Sequence, residues 1–175
     1  MPSSQTLSLA DRRLVAAWAA ECASRVLALF EAEAPDDPRP RDAIDRARAF
    51  ARGELDAAHE IRDRFVAGRA AQAVSSPAAV AAARSAAQAA AVAHMGAHAL
   101  GAAAYAAKAT GLAPHADPTS ADQETAWQFA QLDEQTRSAL ARLPSLGEDS
   151  AGPLGAGLLT KGVLGVAIRR IQEQL

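Results

Sequence analysis

Apolar residues recur every three or four positions along most of the chain, which is the spacing of a buried helix face. The first such stretch runs from about Leu9 to Ala34, where a proline-rich loop ends it. Its apolar stripe contains Leu14, Val15, Trp18, Cys22, Val26 and Leu29. The pattern therefore predicts a long first helix with one face in the core.

Pro40 and Arg41 are well placed to open a second helix, because proline fits the first turn of a helix. A third helix is predicted to continue through Ile61 and Phe65 to about Val74.

The segment from Pro77 to Thr110 is the most distinctive part of the chain, since 19 of its 34 residues are alanine and none is acidic. Alanine has the highest helix propensity and a side chain small enough to let neighbouring helices approach closely. The segment is therefore predicted to form one long central helix.

Three shorter elements follow this segment. A helix capped by Thr119 or Ser120 is predicted to contain Trp127, Phe129 and Leu132, and a short helix to contain Leu140 and Leu143. A glycine-rich break from Glu148 to Gly157 then precedes a last helix from Leu158 to Leu175. The whole pattern predicts an all-α, single-domain bundle of about six helices. Residues 1–145 would form the main helical unit, and residues 146–175 a hinge and a helix packed on it.

Composition agrees with this fold class and narrows the function. Half of the residues are apolar but only 4% are aromatic, which favours an aliphatic helical core. The net charge is −2, and no segment forms a basic stripe that could neutralise nucleic-acid phosphates. The segment 111–150 carries seven acidic residues against two basic ones. Nucleic-acid binding is thus not expected, whereas an acidic patch from Asp117 to Asp149 could meet a basic partner.

Other features indicate a cytoplasmic protein. Cys22 is the only cysteine, so an internal disulfide is excluded, and its place on the apolar stripe favours a small core residue over a nucleophile. The first residues lack the charged and apolar regions of a signal peptide. The late apolar stretch, Leu154 to Ile168, is shorter than the roughly 20 residues of a membrane-spanning helix.

Three blocks of the chain carry a resemblance to a known family. They are LADRRLVAAWAAECASRVLALFE, PDDPRPRDAIDRARAFARGE and AAVAHMGAHALGAAAYAAKA, in this order. The chain resembles the immunity-protein-five-like helical domain family of bacterial toxin systems over roughly residues 9–143. This resemblance implies an all-helical fold and neutralisation of a partner toxin. It brings no set of catalytic residues, and it does not extend to the tail after about Ser145.

The best candidate chemistry lies on the alanine-rich segment. On one continuous helix, His94, His98, Tyr105 and Lys108 fall within about 40° of one line, around the gap left by Gly101. A pocket on this face would suit an acid/base isomerase, cyclase or lyase, since imidazole titrates near neutral pH. The catalytic residues would be His94, His98 and Tyr105. The ligand-binding residues would be Trp18, Arg25, Asp45 and Lys108.

A metal site is not predicted on this face. Two histidines four residues apart can share a metal ion, but the segment supplies neither a carboxylate nor a cysteine as a third ligand. Such a ligand would have to come from His59, Glu60, Asp45 or Asp56 on another helix. The simplest interpretation of the face is a hydrogen-bonded seam or a solvated helix surface.

Three functional hypotheses remain. The first is an immunity-type protein that covers a partner protein such as a toxin through its acidic patch or its charged N-terminal helices, without catalysis or a cofactor. The second is the small-molecule enzyme or binding protein described above. The third is a structural oligomer, such as a homodimer, held by the alanine-rich faces and the last helix. An immunity protein predicts an exposed acidic surface, and an enzyme predicts a concave site beside the histidines.

Overall fold

The computed structural model describes residues 3–57 and 66–175, and every regular element within these ranges is a helix. This confirms the predicted all-α bundle. The part of the third predicted helix that contains Ile61 and Phe65 lies outside the described residues. The α-helices whose two ends both lie within these ranges are α1 (Leu9–Glu31), α2 (Arg39–Ala51), α3 (Pro77–Ala91), α4 (His98–Gly111), α5 (Ser120–Ala130), α6 (Glu134–Leu140) and α7 (Gly162–Gln172).

The bundle is built around α1 and α4. Helix α1 packs against α2, α3, α4 and α6, and α4 packs against α1, α3, α5 and α7. Ser8 caps the start of α1 by accepting a hydrogen bond from Asp11 N, and Ser76 caps α3 by accepting one from Ala79 N. Helix α1 ends three residues earlier than predicted, at Glu31, and α2 starts at Arg39, one residue before Pro40.

The prediction of one long central helix is wrong, because the alanine-rich segment forms two helices that pack against each other. Helix α3 ends at Ala91, residues 92–97 form turns, and α4 starts at His98. The N-terminal residues occupy this break: Gly96 N donates to Thr6 O at 3.0 Å and Ala97 N donates to Gln5 O at 3.0 Å. These long-range bonds satisfy amides that a continuous helix would have used internally.

Small side chains let α3 and α4 come into close contact. Ser85 Oγ donates a buried hydrogen bond of 2.8 Å to the Ala102 carbonyl oxygen of α4. A Cβ on Gly101 would lie only 2.9 Å from the side-chain carbon Cδ of Gln88, so the glutamine side chain occupies the space that glycine leaves open. The alanine content thus serves helix packing as well as helix propensity.

The C-terminal segment covers one side of the bundle. Helix α7 packs against α4 and α5 and buries Leu164, Ile168 and Ile171. The predicted last helix is shorter than expected, because 158–160 form a separate 3₁₀ turn before α7 begins. The division of the chain into residues 1–145 and 146–175 stays a prediction. Within the described part of the chain, no helix has the length and apolar character to cross a membrane.

Gly165 provides a test of how closely α7 is packed. A Cβ at this position would lie 2.6 Å from the Thr160 carbonyl carbon, a backbone atom that cannot rotate away. We expect Gly165→Ala to lower the free energy of unfolding by about 1 to 2 kcal/mol, as overpacking does, despite the better helix propensity of alanine. Thermal and urea unfolding would measure this change.

Gly68 supplies the matched control. It lies in helical residues 66–70, and a Cβ there would meet no atom within 4 Å. Gly68→Ala should therefore raise the free energy of unfolding by about 0.5 to 1 kcal/mol. Equal effects of the two substitutions would contradict the packing described for α7.

Candidate binding cleft

A cleft of 460 Å³ opens between α1, α2, α5 and the start of α6. Its apolar floor combines two tryptophans with aliphatic side chains, and its rim is charged. We call it the tryptophan cleft. Its lining residues are Leu14, Ala17, Trp18, Glu21, Arg48, Ala51, Arg52, Trp127, Gln131, Asp133 and Thr136.

Trp18 is the fixed part of the floor. Its side chain belongs to the buried stripe of α1, and the residue is only 5% exposed. The indole Nε1 donates to Gln128 O at 2.8 Å, and the Gln128 side chain itself donates to Ala103 O at 3.0 Å. These bonds connect α1, α5 and α4, so the ring has little freedom to move.

Trp127 forms a neighbouring wall and is held by an ion pair. Arg25 Nε donates to both carboxylate oxygens of Glu124, at 3.1 and 3.0 Å. The same guanidinium lies 3.8 Å from the centroid of the Trp127 ring, a cation–π contact. The Glu124 side chain is 3% exposed and that of Arg25 is 42% exposed. A buried carboxylate therefore fixes an arginine, which in turn supports the tryptophan.

Most of the charged residues on the rim are engaged in ion pairs within the protein. Arg48 contacts Glu21 at 3.0 Å and Asp45 at 3.3 Å, and Arg52 pairs with Glu54 outside the cleft. Asp133 begins α6 by accepting the Thr136 backbone N–H at 2.7 Å, and this bond lowers the pKa of its carboxyl group. The cleft thus has an apolar floor between polar edges, an arrangement that is also found at protein interfaces.

The predicted ligand-binding residues lie in different places. Trp18 lines the cleft, Arg25 supports its wall through Trp127, and Asp45 reaches the rim through Arg48. Lys108 is a half-buried residue of α4 and does not line the cleft. Three of the four residues are therefore associated with one site, although a ligand-binding role for them stays a prediction.

The predicted shared face of His94, His98 and Tyr105 is wrong, because it required a continuous helix. His94 is exposed in the turn before α4, whereas Tyr105 is buried with 4% exposure. His98 begins α4, and its Nδ1 lies 2.8 Å from the Gln88 side-chain oxygen, which also fills the gap beside Gly101. A catalytic role for the three residues stays a prediction, without the common pocket that motivated it.

The acidic run from Asp117 to Asp149 is largely engaged within the protein. Asp117 accepts the Thr119 hydroxyl, a contact that lowers its pKa, while Asp122 pairs with Arg170. Glu124 holds Arg25, and Asp149 accepts weak hydrogen bonds from the hydroxyl groups of Ser3 and Ser4. Much of the predicted acidic patch is therefore engaged within the protein, and its contact with a basic partner stays a prediction.

Cys22 is fully buried, which confirms its interpretation as a core residue, and burial raises the pKa of its thiol. Among residues 3–57 and 66–175, no three His, Cys, Asp or Glu side chains come together as a metal-binding group. The tryptophan cleft is the candidate binding site.

Sequence reasoning missed Trp127, Arg48, Arg52 and Asp133 as cleft residues. Trp127 is far from α1 in the sequence, and this separation hides the side-chain contacts between α5 and α1. The one usable signal is Arg25 on an otherwise apolar stripe, because a covered arginine needs a carboxylate or carbonyl partner.

Comparison with known proteins gives one match. A family model described as "Imm-5 like putative immunity protein" matches residues 5–135. This range includes every residue that lines the tryptophan cleft except Thr136. Neither the curated proteins nor the solved structures contain a match to the chain.

Proposed function

The chain belongs to the Imm-5 like putative immunity protein family, and from this membership we propose that it binds a partner protein and neutralises it without catalysis. The partner would be a bacterial toxin, and the encounter would take place in the cytoplasm. Neutralisation by covering a surface of the toxin needs neither a cofactor nor a substrate pocket.

The tryptophan cleft is the observation that carries this proposal. Tryptophan and arginine contribute most often to the dominant contacts of protein interfaces, and this cleft combines Trp18 and Trp127 with Arg48 and Arg52. Both indole rings are held before any partner arrives, by Gln128 and by Arg25 respectively. A preorganised site loses less side-chain entropy on binding, which favours affinity.

The cleft is a better candidate centre for the contact than the acidic run. Asp122 and Glu124, which pair with the protein's own arginines, would have to give up these contacts to bind a partner. The residues of the cleft, in contrast, leave a concave volume of 460 Å³ for side chains from the partner.

The proposal is tested by coexpressing the chain with each toxin domain that the neighbouring genes of its source genome encode. We expect restored growth and copurification of the two proteins. Trp127→Ala should weaken binding by about tenfold or more, because it removes a central aromatic contact. Calorimetry of the purified pair would measure the affinity.

Leu112→Ala is the control for this experiment. Leu112 is also a large apolar residue, is 44% exposed and does not line the cleft. Its substitution should leave the affinity unchanged. A toxin that is not neutralised would reject the immunity function, whereas full binding by Trp127→Ala would reject the cleft as its centre.

A further inference from the structure

The tryptophan cleft continues into a second cleft along α1. The second cleft has a volume of 450 Å³ and is lined by Asp11, Leu14, Glu134, Gln135, Ser138 and Arg142. Leu14 lines both clefts, so they form one groove beside α1 from Asp11 to Glu21. At 1.5 Å per helical residue this groove is about 15 Å long, which suits a segment of chain better than a single side chain.

The basic residues of the groove form ion pairs, whereas two of its acidic residues do not. Its three arginines are all paired: Arg48 with Glu21 and Asp45, Arg52 with Glu54, and Arg142 with Asp11 at 2.8 Å. Asp133 and Glu134, in contrast, form no ion pair with the residues that the structure describes. Asp133 lines the tryptophan cleft and Glu134 lines the second cleft, so both carboxylates lie where the two clefts meet.

We propose, building on the function proposed above, that the groove binds a segment of the partner protein that carries a lysine or arginine two to four positions from a large apolar residue. The apolar residue enters the tryptophan cleft, and the cation meets Asp133 and Glu134. The arginines of the groove already have carboxylate partners, so an acidic segment would find only paired cations and two repelling carboxylates.

The spacing of the two residues follows from α1. Leu14 and Trp18 are one helical turn apart, or about 6 Å along the groove. In an extended segment two residues span about the same distance, and on a helix three or four residues bring two side chains to neighbouring positions. The cation and the apolar residue are therefore two positions apart in a strand-like segment, or three to four apart in a helix.

The experiment is a selection of 12-residue random peptides displayed on phage against the full chain. Enriched peptides are expected to contain lysine or arginine at one of these spacings from an aromatic or large aliphatic residue. Their synthetic versions should bind more weakly as salt rises, because the carboxylates are close to solvent. Enrichment of acidic peptides, or no enrichment at all, would overturn the proposal.

Two variants connect the binding to the groove. The double substitution Asp133→Asn, Glu134→Gln should weaken the peptides about three- to tenfold with only a small loss of thermal stability, because asparagine still caps α6 although the negative charges at its first turn are lost. The matched control, Asp36→Asn, Asp42→Asn, removes two exposed carboxylates, one before α2 and one in its first turn, and should cause a similarly small loss of stability without changing peptide binding. Equal binding by both double variants would refute the role of Asp133 and Glu134.

Failure of this inference differs from failure of the proposed function. If the toxin binds and Trp127→Ala weakens it, but Asp133→Asn, Glu134→Gln does not, the function holds and the basic segment is rejected. If selected basic peptides bind the groove while the coexpressed toxin does not, the groove chemistry holds and the immunity function is rejected.

Discussion

Replacing Arg25 with alanine is expected to lower the free energy of unfolding by about 3 kcal/mol, because it leaves the buried carboxylate of Glu124 without its cation. The Glu124 side chain is 3% exposed, and among the described residues only Gln128 Nε2, at 3.3 Å, remains as a side-chain donor. Removing one partner of a buried ion pair typically lowers the free energy of unfolding by about 3 to 5 kcal/mol. The expected loss is at the lower end of that range, since 42% of the Arg25 side chain is already in contact with solvent.

The same substitution should also disturb the tryptophan cleft. Arg25 lies 3.8 Å from the Trp127 ring, and its loss removes the contact that holds this wall. Urea unfolding would give the change in stability, and the near-ultraviolet circular dichroism of the tryptophans would report the change in the ring's environment. Weaker toxin binding should accompany both.

Arg41→Ala is the matched control for Arg25→Ala. Arg41 also pairs with a glutamate on another stretch of the chain, Glu31, but both side chains are substantially exposed, at 57% and 29%. Pairs of this kind contribute between 0 and about 1 kcal/mol. If Arg41→Ala and Arg25→Ala destabilise the protein equally, burial of Glu124 is not what makes the Arg25 pair important.

The fold class could be predicted from the sequence because its signals are local. The apolar spacing that predicts a helix after Leu9 and the proline that opens α3 both act within a few residues of their position. Ser8 and Ser76 add hydrogen bonds from within the same turn. Such signals locate helix starts well, and they gave the starts of α1 and α3 correctly.

The break between α3 and α4 could not be predicted, because identical local signals have different outcomes there. Gly96 and Gly101 both interrupt an alanine-rich run, yet only Gly96 lies in a break. The difference is in their distant neighbours: Gly96 donates to Thr6 O and would crowd Leu7 if it carried a Cβ, whereas Gly101 packs against Gln88 within the helix pair. Helix propensity carries no information about such contacts.

The candidate site was predictable only in part, for the same reason. Trp18 and Arg25 could be singled out because they stand on one helix with a recognisable stripe. Trp127 and Glu124 complete the site from α5, about 100 residues later in the chain. A single sequence does not show which helix faces which, so it does not bring these two residues together with Trp18 and Arg25.

Replacing Gln5 with alanine is expected to lower the free energy of unfolding by about 2 to 3 kcal/mol, because one buried side chain joins both ends of the chain. Gln5 is fully buried, its Oε1 accepts the Leu154 backbone N–H at 2.9 Å and its Nε2 donates to Ala151 O. Its own backbone carbonyl accepts from Ala97 in the break between α3 and α4. Alanine would leave the buried Leu154 N–H without a partner and open a cavity beside Gly152.

The loss should be concentrated in the C-terminal segment, which makes it distinguishable from a general weakening of the core. Hydrogen exchange of the Leu154 amide should accelerate more than that of the α4 amides, and protease cleavage between residues 147 and 157 should become faster. Gln135→Ala is the control, since Gln135 is an exposed glutamine whose substitution should stay within about 0.5 kcal/mol. An effect of Gln5→Ala no larger than this control would show that the N-terminal turn does not hold the C-terminal segment in place.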